Sequence, residues 1–268
     1  MTPRGRTIAE TGRASSVGRI VLCIAGLLAF GVFLALGTWQ VQRLSWKLAL
    51  IERVDARIHA APSAPPTSAD WSVISAERDE YRRLRLTGTF LNDRETLVQA
   101  VTALGPGFWV LTPLRLADGS AVIVNRGFVP PERRDPATRA AGQVEGATAV
   151  TGLLRLSEPD GGFLRENDPA ENRWYSRDVA AIAEARDLPA TAPYFLDADA
   201  TANAGGWPIG GLTVVAFRNH HLVYALTWYA LAAMLAGVGV WLWRDRRRRS
   251  AMTTPDEDVK DGQPVSLP

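Results

Sequence analysis

The amino-acid sequence predicts two transmembrane α-helices that flank an extracytoplasmic α+β domain, a mostly antiparallel β-sheet or partial barrel with one helix. Three observations predict this class: two uncharged apolar runs, a long polar segment between them, and strand-like alternation inside that segment. The predicted parts are a cytoplasmic tail at 1–19, a first span at 20–39, the β-rich domain at 40–221, a second span at 222–243, and a basic, then disordered cytoplasmic tail at 244–268.

The two predicted spans, 20–39 and 222–243, contain no charged residue. At about 1.5 Å of rise per residue each helix is about 30 Å long, which matches the hydrocarbon core of a bilayer. The alternative, two buried helices of a soluble protein, is less favoured because helices that are apolar on all sides are uncommon in soluble domains of this size. The sequence therefore predicts a protein that crosses the lipid bilayer twice.

Basic residues next to the spans predict the orientation. Arginines precede the first span and follow the second, at positions 4, 6, 13, 19, 244 and 246–249. Because positive charge is retained on the cytoplasmic side, both ends are predicted to be cytoplasmic and the middle to lie across the membrane. The N-terminal tail is short for a mitochondrial transit peptide, which favours a bacterial inner membrane.

The first helix is predicted to continue through residues 40–60, where a proline-rich segment that begins at Pro62 ends it. Beyond it, alternation of apolar and polar side chains predicts about seven strands, at 81–91, 95–100, 108–116, 121–129, 149–156, 194–196 and 212–218. Residues 177–186 are predicted to form the one helix of the domain, with Asp178 near its start.

Composition and motifs exclude several functions. A total of 30 Lys and Arg against 28 Asp and Glu leaves a net charge of +2, which does not favour nucleic-acid binding. The single Cys23 excludes an intramolecular disulfide, and with three histidines it leaves no clustered zinc or iron–sulfur spacing. Motifs of hydrolases, phosphate-binding loops and zinc proteases are absent from the sequence. No catalytic residues are therefore predicted, and the protein is not predicted to be an enzyme.

The most concentrated group of functional side chains lies where the second span begins. His220 and His221 stand at the predicted membrane surface, where ionisable groups are costly unless they are used. A helix that continues from His221 places Tyr224 or Ala225, and then Trp228, on the same face.

Two interpretations of this group remain open at the level of the residues. In the first, His221 ligates a haem iron above an aromatic wall of Tyr224 and Trp228. The haem propionates would then pair with three basic residues, Arg43, Lys47 and Arg218. In the second, the same side chains are ordinary anchors at the membrane–water interface.

Several short motifs follow one another along the chain. They are Leu-Gly-Thr-Trp-Gln at 36–40 with Arg43, Trp46, Lys47 and Leu50-Ile51; Tyr81-Arg82 and Gly88-Thr89-Phe90; Gly107-Phe108 and Leu111-Thr112-Pro113; Val-Asn-Arg-Gly-Phe-Val-Pro at 124–130; Asn167-Asp168 and Trp174; and Arg-Asn-His-His-Leu at 218–222 with Tyr224-Ala225 and Thr227-Trp228-Tyr229. In this order, between two spans, they resemble the surfeit locus protein 1 family of cytochrome c oxidase assembly factors over residues 31–243.

The resemblance implies a membrane chaperone of respiratory chain biogenesis that binds haem a transiently and assists its insertion into the catalytic subunit of cytochrome c oxidase. The haem-binding histidine of the family matches His221. His220 stands where the family usually has Asn, which leaves a swap of ligand between the two neighbours open. The implied partners are the catalytic subunit of the oxidase, haem a synthase as a second candidate, and the lipid bilayer.

Two alternative functions and one structural question remain. The protein could be a scaffold that stabilises oxidase subunits without holding haem, or a membrane enzyme acting on haem or lipid, although no residue set supports the enzyme. The scaffold alternative predicts that residues 125–128 form a functional domain surface. These residues, with Phe128 where the family usually has Trp, are predicted to form either a tight turn after a strand or a partner contact.

Overall fold

The computed structural model describes residues 11–159, 161–162, 164–213, 215, 217 and 219–251. The chain divides into two compact units, a helix-pair unit of Met1–Ala49 with Arg218–Pro268, and a barrel domain of Leu50–Phe217. The α-helices of the described residues are α1 at Thr11–His59, α2 at Ala76–Asp79, α3 at Val179–Ala185 and α4 at His221–Ala251.

Two of these helices are long and apolar enough to cross a membrane, over Ile20–His59 and His221–Arg249. They contain the two predicted spans and support a membrane protein. The bounds of the spans and of the domain between them, and the side of the membrane on which each part lies, stay predictions. Residues 1–10 and 252–268 of the predicted tails lie outside the described residues.

Helix α1 is unbroken from Thr11 to His59, so the predicted continuation of the helix beyond residue 39 is confirmed. The helix ends shortly before Pro62. A proline ring cannot continue a helix, because it lacks the amide hydrogen and clashes with the preceding turn.

The barrel domain contains six strands: β1 at Arg83–Phe90, β2 at Thr96–Thr102, β3 at Gly105–Leu116, β4 at Ala121–Val129, β5 at Ala147–Leu156 and β6 at Thr191–Ala198. Their order is β1-β5-β6-β4-β3-β2, and an additional pairing joins β1 to β3. Five strands therefore form a ring, a partial barrel that β2 extends along β3. All pairings are antiparallel except that of β4 with β6.

Six of the seven predicted strands and the predicted helix are confirmed. The strand predicted at 212–218 is wrong for its described residues, Leu212, Thr213, Val215 and Phe217, which belong to no strand. The neighbouring β6 is already paired on both sides, with β5 and β4, so an alternating segment beside it finds no free backbone edge. Helix α3 begins where predicted, because a carboxylate oxygen of Asp178 accepts a hydrogen bond from the amide of Ala181 at 3.2 Å.

The core of the barrel domain consists of two clusters of buried side chains. The first fills the ring and contains Leu84, Leu86, Phe90, Leu114, Val122, Val124, Leu154, Ala192, Tyr194 and Leu196. The second lies under α3 and contains Val98, Leu111, Ile123, Trp174, Val179, Ile182 and Phe195. Strand β4 contributes to both clusters and all nine of its residues are buried. This explains why its sequence is a continuous apolar run before Asn125.

Candidate functional site

The helix-pair unit is held together by close packing between α1 and α4. Gly37 is buried against Tyr229, and a Cβ atom added at Gly37 would lie 2.7 Å from a ring carbon of that tyrosine. The hydroxyl oxygens of Thr38 and Tyr229 lie 3.2 Å apart. Ala225 and Ala232 are also buried, so small side chains allow the two helices to approach closely.

His221 is the first residue of α4, and its imidazole contacts Gln40 of α1. The Nδ1 atom of His221 lies 2.8 Å from Oε1 of Gln40, a residue that is only 9% exposed. An amide oxygen can only accept a hydrogen bond, so Nδ1 carries the proton and Nε2 keeps its lone pair. Among the described residues nothing forms a hydrogen bond with Nε2. In this arrangement one ring nitrogen donates a hydrogen bond to an amide oxygen and the other nitrogen has no hydrogen-bond partner among the described residues. The arrangement is typical of metal-ligating histidines.

Trp228, a predicted site residue, packs against α1. Its ring stacks on Phe33 of α1, with centroids 5.8 Å apart and planes inclined by 28°. Because residues seven apart share a helical face, Trp228 and His221 lie on the same side of α4. Tyr224, in contrast, is 54% exposed, and its hydroxyl has no hydrogen-bond partner among the described residues. His220 is exposed as well.

Two of the predicted basic residues follow Gln40 on α1, Arg43 three residues later and Lys47 seven residues later. This spacing places both on the face of the helix that carries Gln40. The Arg43 guanidinium lies 5.9 Å from the ring centroid of Trp39 and 5.4 Å from that of Trp46. Both indoles therefore stabilise its charge. The third predicted basic residue, Arg218, lies outside the described residues.

The importance of Gln40 was missed from the sequence, although a signal was present. Gln40 is the first strongly polar residue after the first apolar run, and it lies seven residues after Phe33 and three after Gly37. These spacings place it on the face of α1 that packs against α4.

A group of three or more His, Cys, Asp or Glu side chains able to hold a metal ion is absent from the part of the chain that the structure describes. His221, with its imidazole oriented by Gln40, is the candidate ligand for a cofactor.

The segment 125–128 is neither the predicted turn nor a domain surface. It belongs to β4, and Asn125, Arg126 and Phe128 are all at most 5% exposed. The sequence suggested a turn because Asn and Gly are typical turn residues. Here they have other functions: the Asn125 amide donates to the Asp197 carboxylate at 2.8 Å, and Gly127 lies against the backbone of Ile209.

Asp197, at the end of β6, is the centre of a polar network that sequence analysis did not identify. Its carboxylate accepts hydrogen bonds from Asn125 at 2.8 Å, Thr213 at 3.0 Å, and Arg155 and Arg177 at 3.2 Å each. Arg177 is largely buried, which lowers its pKa, but hydrogen bonds and charge from Glu158 and Asp197 outweigh this and raise the pKa overall. Because every partner is engaged, the network serves to hold β4, β5 and β6 together.

The fold and the site together define a class of protein with two candidate membrane helices, a small barrel domain and one oriented imidazole on the helix pair. Residues 27–233 match the family model described as the SURF1 family. The chain therefore belongs to the SURF1 family, which is known as a family of cytochrome c oxidase assembly factors.

Curated relatives cover most of the chain. A SURF1-like protein of Monosiga brevicollis is 39% identical over 238 residues, which are 84% of this chain and 88% of the relative. Surfeit locus protein 1 of Mus musculus is 36% identical over 260 residues, 91% of this chain and 82% of the relative. Surfeit locus protein 1 of Homo sapiens is 36% identical over 240 residues, 83% of this chain and 75% of the relative. The resemblance inferred from the motifs is confirmed.

Proposed function

We propose that this protein is an assembly factor for haem–copper cytochrome c oxidase that binds haem a at His221 and assists its insertion into the catalytic subunit. Membership of the SURF1 family supports the assembly role. The proposal places both chain ends in the cytoplasm of a bacterium and the barrel domain outside the inner membrane, because arginines flank both apolar runs. The oxidase catalytic subunit is the partner, and haem a synthase is the candidate donor.

The observation that carries the haem proposal is the hydrogen bond between Nδ1 of His221 and Oε1 of Gln40. It orients the imidazole and leaves the lone pair of Nε2 for iron. Haem a would supply an iron that accepts this lone pair and two propionates that need positive charge. The residues present fit such a group, because one oriented imidazole, an aromatic surface and basic side chains lie on the same helix pair.

The surroundings of His221 favour a flat amphiphilic ligand. The stacked rings of Trp228 and Phe33 provide an apolar wall on the helix pair. Arg43 and Lys47 extend the Gln40 face of α1 toward its C-terminal end, where they would neutralise the propionates. Tyr224 and Arg218 remain further candidates for contact with the ligand. The helix pair thus combines a ligand atom, an apolar surface and positive charge.

The proposal is tested by the visible absorption spectrum of the detergent-purified full chain from a host that makes haem a. We expect a haem a band in the unmodified protein, loss of the band in His221→Ala, and retention in the matched control His220→Ala. A band that is lost only in His220→Ala would move the iron ligand to the neighbouring residue. Absence of the band from the folded, unmodified protein would contradict haem binding and favour a scaffold that stabilises oxidase subunits without haem.

Replacing Gln40 by leucine is expected to weaken haem binding by about 10- to 100-fold, because the imidazole loses the acceptor that fixes its tautomer and orientation. The measurement is a haem titration of purified apoprotein followed by absorbance. Gln42→Leu is the matched control, since Gln42 is exposed on the same helix. Equal affinities of the two variants, with unchanged helical circular dichroism, would show that Gln40 does not orient the haem ligand.

A further inference from the structure

The interior of the ring contains one buried cation, Arg126, among the residues that the structure describes. It follows Val122 and Val124 on the side of β4 that faces the ring, and it is 2% exposed. Its guanidinium carbon lies 4.7 Å from the centroid of the Phe90 ring, which belongs to the same interior cluster. A charged group among apolar side chains is costly unless it is paired.

The hydrogen bonds of Arg126 are incomplete. Its Nη2 atom donates to the carbonyl oxygen of Gly142 and, at 3.3 Å, to the side-chain oxygen of Asn203. The Nε and Nη1 atoms are buried and have no hydrogen-bond partner among the described residues. Buried donors without acceptors are rare in folded proteins and call for a specific explanation.

The positive charge of Arg126 is also unbalanced. No described carboxylate forms an ion pair with it. Glu95, whose charge acts on Arg126, is already bound by both Nη atoms of the buried Arg139. Burial lowers the pKa of Arg126 to about 10, with Glu95 opposing this shift and Arg139 adding to it. The guanidinium therefore stays charged at neutral pH without a counterion from the described residues.

A cavity of about 180 Å³ lies beside this guanidinium, at the end of the ring where β1 and β6 end and β5 begins. Arg126, Phe90, Val144, Thr148 and Asn203 are among its lining residues. Thr148 belongs to the same alternating row of β5 as Val150 and Leu154, so it faces the interior. The mouths of β-barrels are frequent sites for small ligands.

The one acidic residue of this lining is engaged elsewhere. Asp199 accepts hydrogen bonds from the amide and the hydroxyl of Thr201 at 3.0 and 2.6 Å. Its second oxygen lies 3.8 Å from a guanidinium nitrogen of Arg83. Asp199 is thus the partner of other groups, and the hydroxyl of Thr148 in the lining can donate a hydrogen bond to an anion.

We propose that this cavity binds a small oxyanion, a phosphate or carboxylate group free in solution, which compensates the buried positive charge of Arg126. The volume of about 180 Å³ admits a phosphate or a short carboxylate. The site lies wholly within the barrel domain, and its ligand is independent of haem binding at His221.

The test is thermal unfolding of the detergent-purified full chain, followed by tryptophan fluorescence at constant ionic strength. Sodium chloride is replaced stepwise by sodium phosphate, or in a second series by sodium acetate. A ligand that binds the folded state raises Tm with a saturating dependence on its concentration. A rise with phosphate alone, with acetate alone or with both supports the site and distinguishes the two oxyanions. Equal Tm values in all three salts would overturn the proposal.

Variants connect the response to Arg126. In Arg126→Met, the affinity is expected to fall by at least about tenfold, since the positive charge that attracts the oxyanion is lost. Arg115→Met, which removes an exposed arginine of β3, should respond as the unmodified chain does. Thr148→Glu keeps Arg126 and puts a carboxylate at the mouth, so its starting Tm should rise and its oxyanion response disappear. An unchanged response in a folded Arg126→Met or Thr148→Glu variant would contradict the proposal.

Discussion

Replacing Asp197 by leucine is expected to lower the free energy of unfolding of the barrel domain by about 3–5 kcal/mol, the range for removing one partner of a buried ion pair. Asp197 is 3% exposed and accepts hydrogen bonds from Arg155 and Arg177, whose side chains are 17% and 14% exposed. The substitution leaves both guanidinium groups, and the Asn125 amide, without their common acceptor. Arg155 would keep its ion pair with Glu80, and Arg177 would keep its ion pair with Glu158. These pairs would balance only part of the two positive charges.

The measurement is urea unfolding of the purified full chain followed by tryptophan fluorescence. Asp93→Leu is the control, because the Asp93 side chain is 80% exposed and its pair with Arg94 is 3.9 Å long. Exposed pairs of this kind contribute at most about 1 kcal/mol. If Asp197→Leu unfolded at the same urea concentration as Asp93→Leu, the network would not stabilise the barrel.

Replacing Gly127 by alanine is expected to cost a comparable amount, about 3–5 kcal/mol, from backbone strain and overpacking together. Gly127 has φ of +129°, and a Cβ atom there would lie 2.1 Å from the carbonyl oxygen of Ile209. That carbonyl cannot move away easily, because Phe128 and Ile209 exchange two backbone hydrogen bonds of 2.9 and 3.0 Å.

Gly119 offers a matched control for Gly127. It also has a positive φ, +86°, but a Cβ atom there would have nothing within 4 Å. Gly119→Ala therefore isolates the backbone strain, which is expected to cost about 1 kcal/mol. Thermal unfolding of the two purified variants separates the cost of backbone strain from the cost of overpacking. Equal losses of stability would mean that the approach of Ile209 to β4 does not limit the size of residue 127.

The elements of the barrel domain were largely predictable where local chemistry determines them. The bounds of β4 were predicted correctly, because an apolar run is delimited by the turn at Gly119 and by Pro130. The strand predicted at 212–218 is wrong at its described residues. Alternation indicates which side chains can be buried, whereas a strand also needs a neighbouring strand with a free backbone edge. Closure of the ring through β1 and β3 depends on long-range pairing that local patterns do not encode.

The candidate site was predictable on one helix and hidden on the other. His221 stands out because adjacent histidines at the start of an apolar run are unusual. Gln40 lies 181 residues away along the chain, and only the packing of α1 against α4 makes it the partner of His221. Distance along the chain also explains why the burial of segment 125–128 was not predicted. The partner of Asn125, Asp197, is 72 residues distant, so its polar side chain suggested exposure although it is buried.

The position of β6 has a consequence for synthesis of the chain. This strand is the last of the six in sequence but lies between β4 and β5 in the sheet. Until Thr191–Ala198 has left the ribosome, β4 and β5 each keep an unpaired edge, and the carboxylate that Asn125, Arg155 and Arg177 share is missing. Exposed strand edges promote aggregation of nascent chains. A premature stop shortly before residue 191 would therefore remove a central strand of the sheet and not an edge strand. The strands made before it would keep unpaired edges and would be exposed to proteolysis.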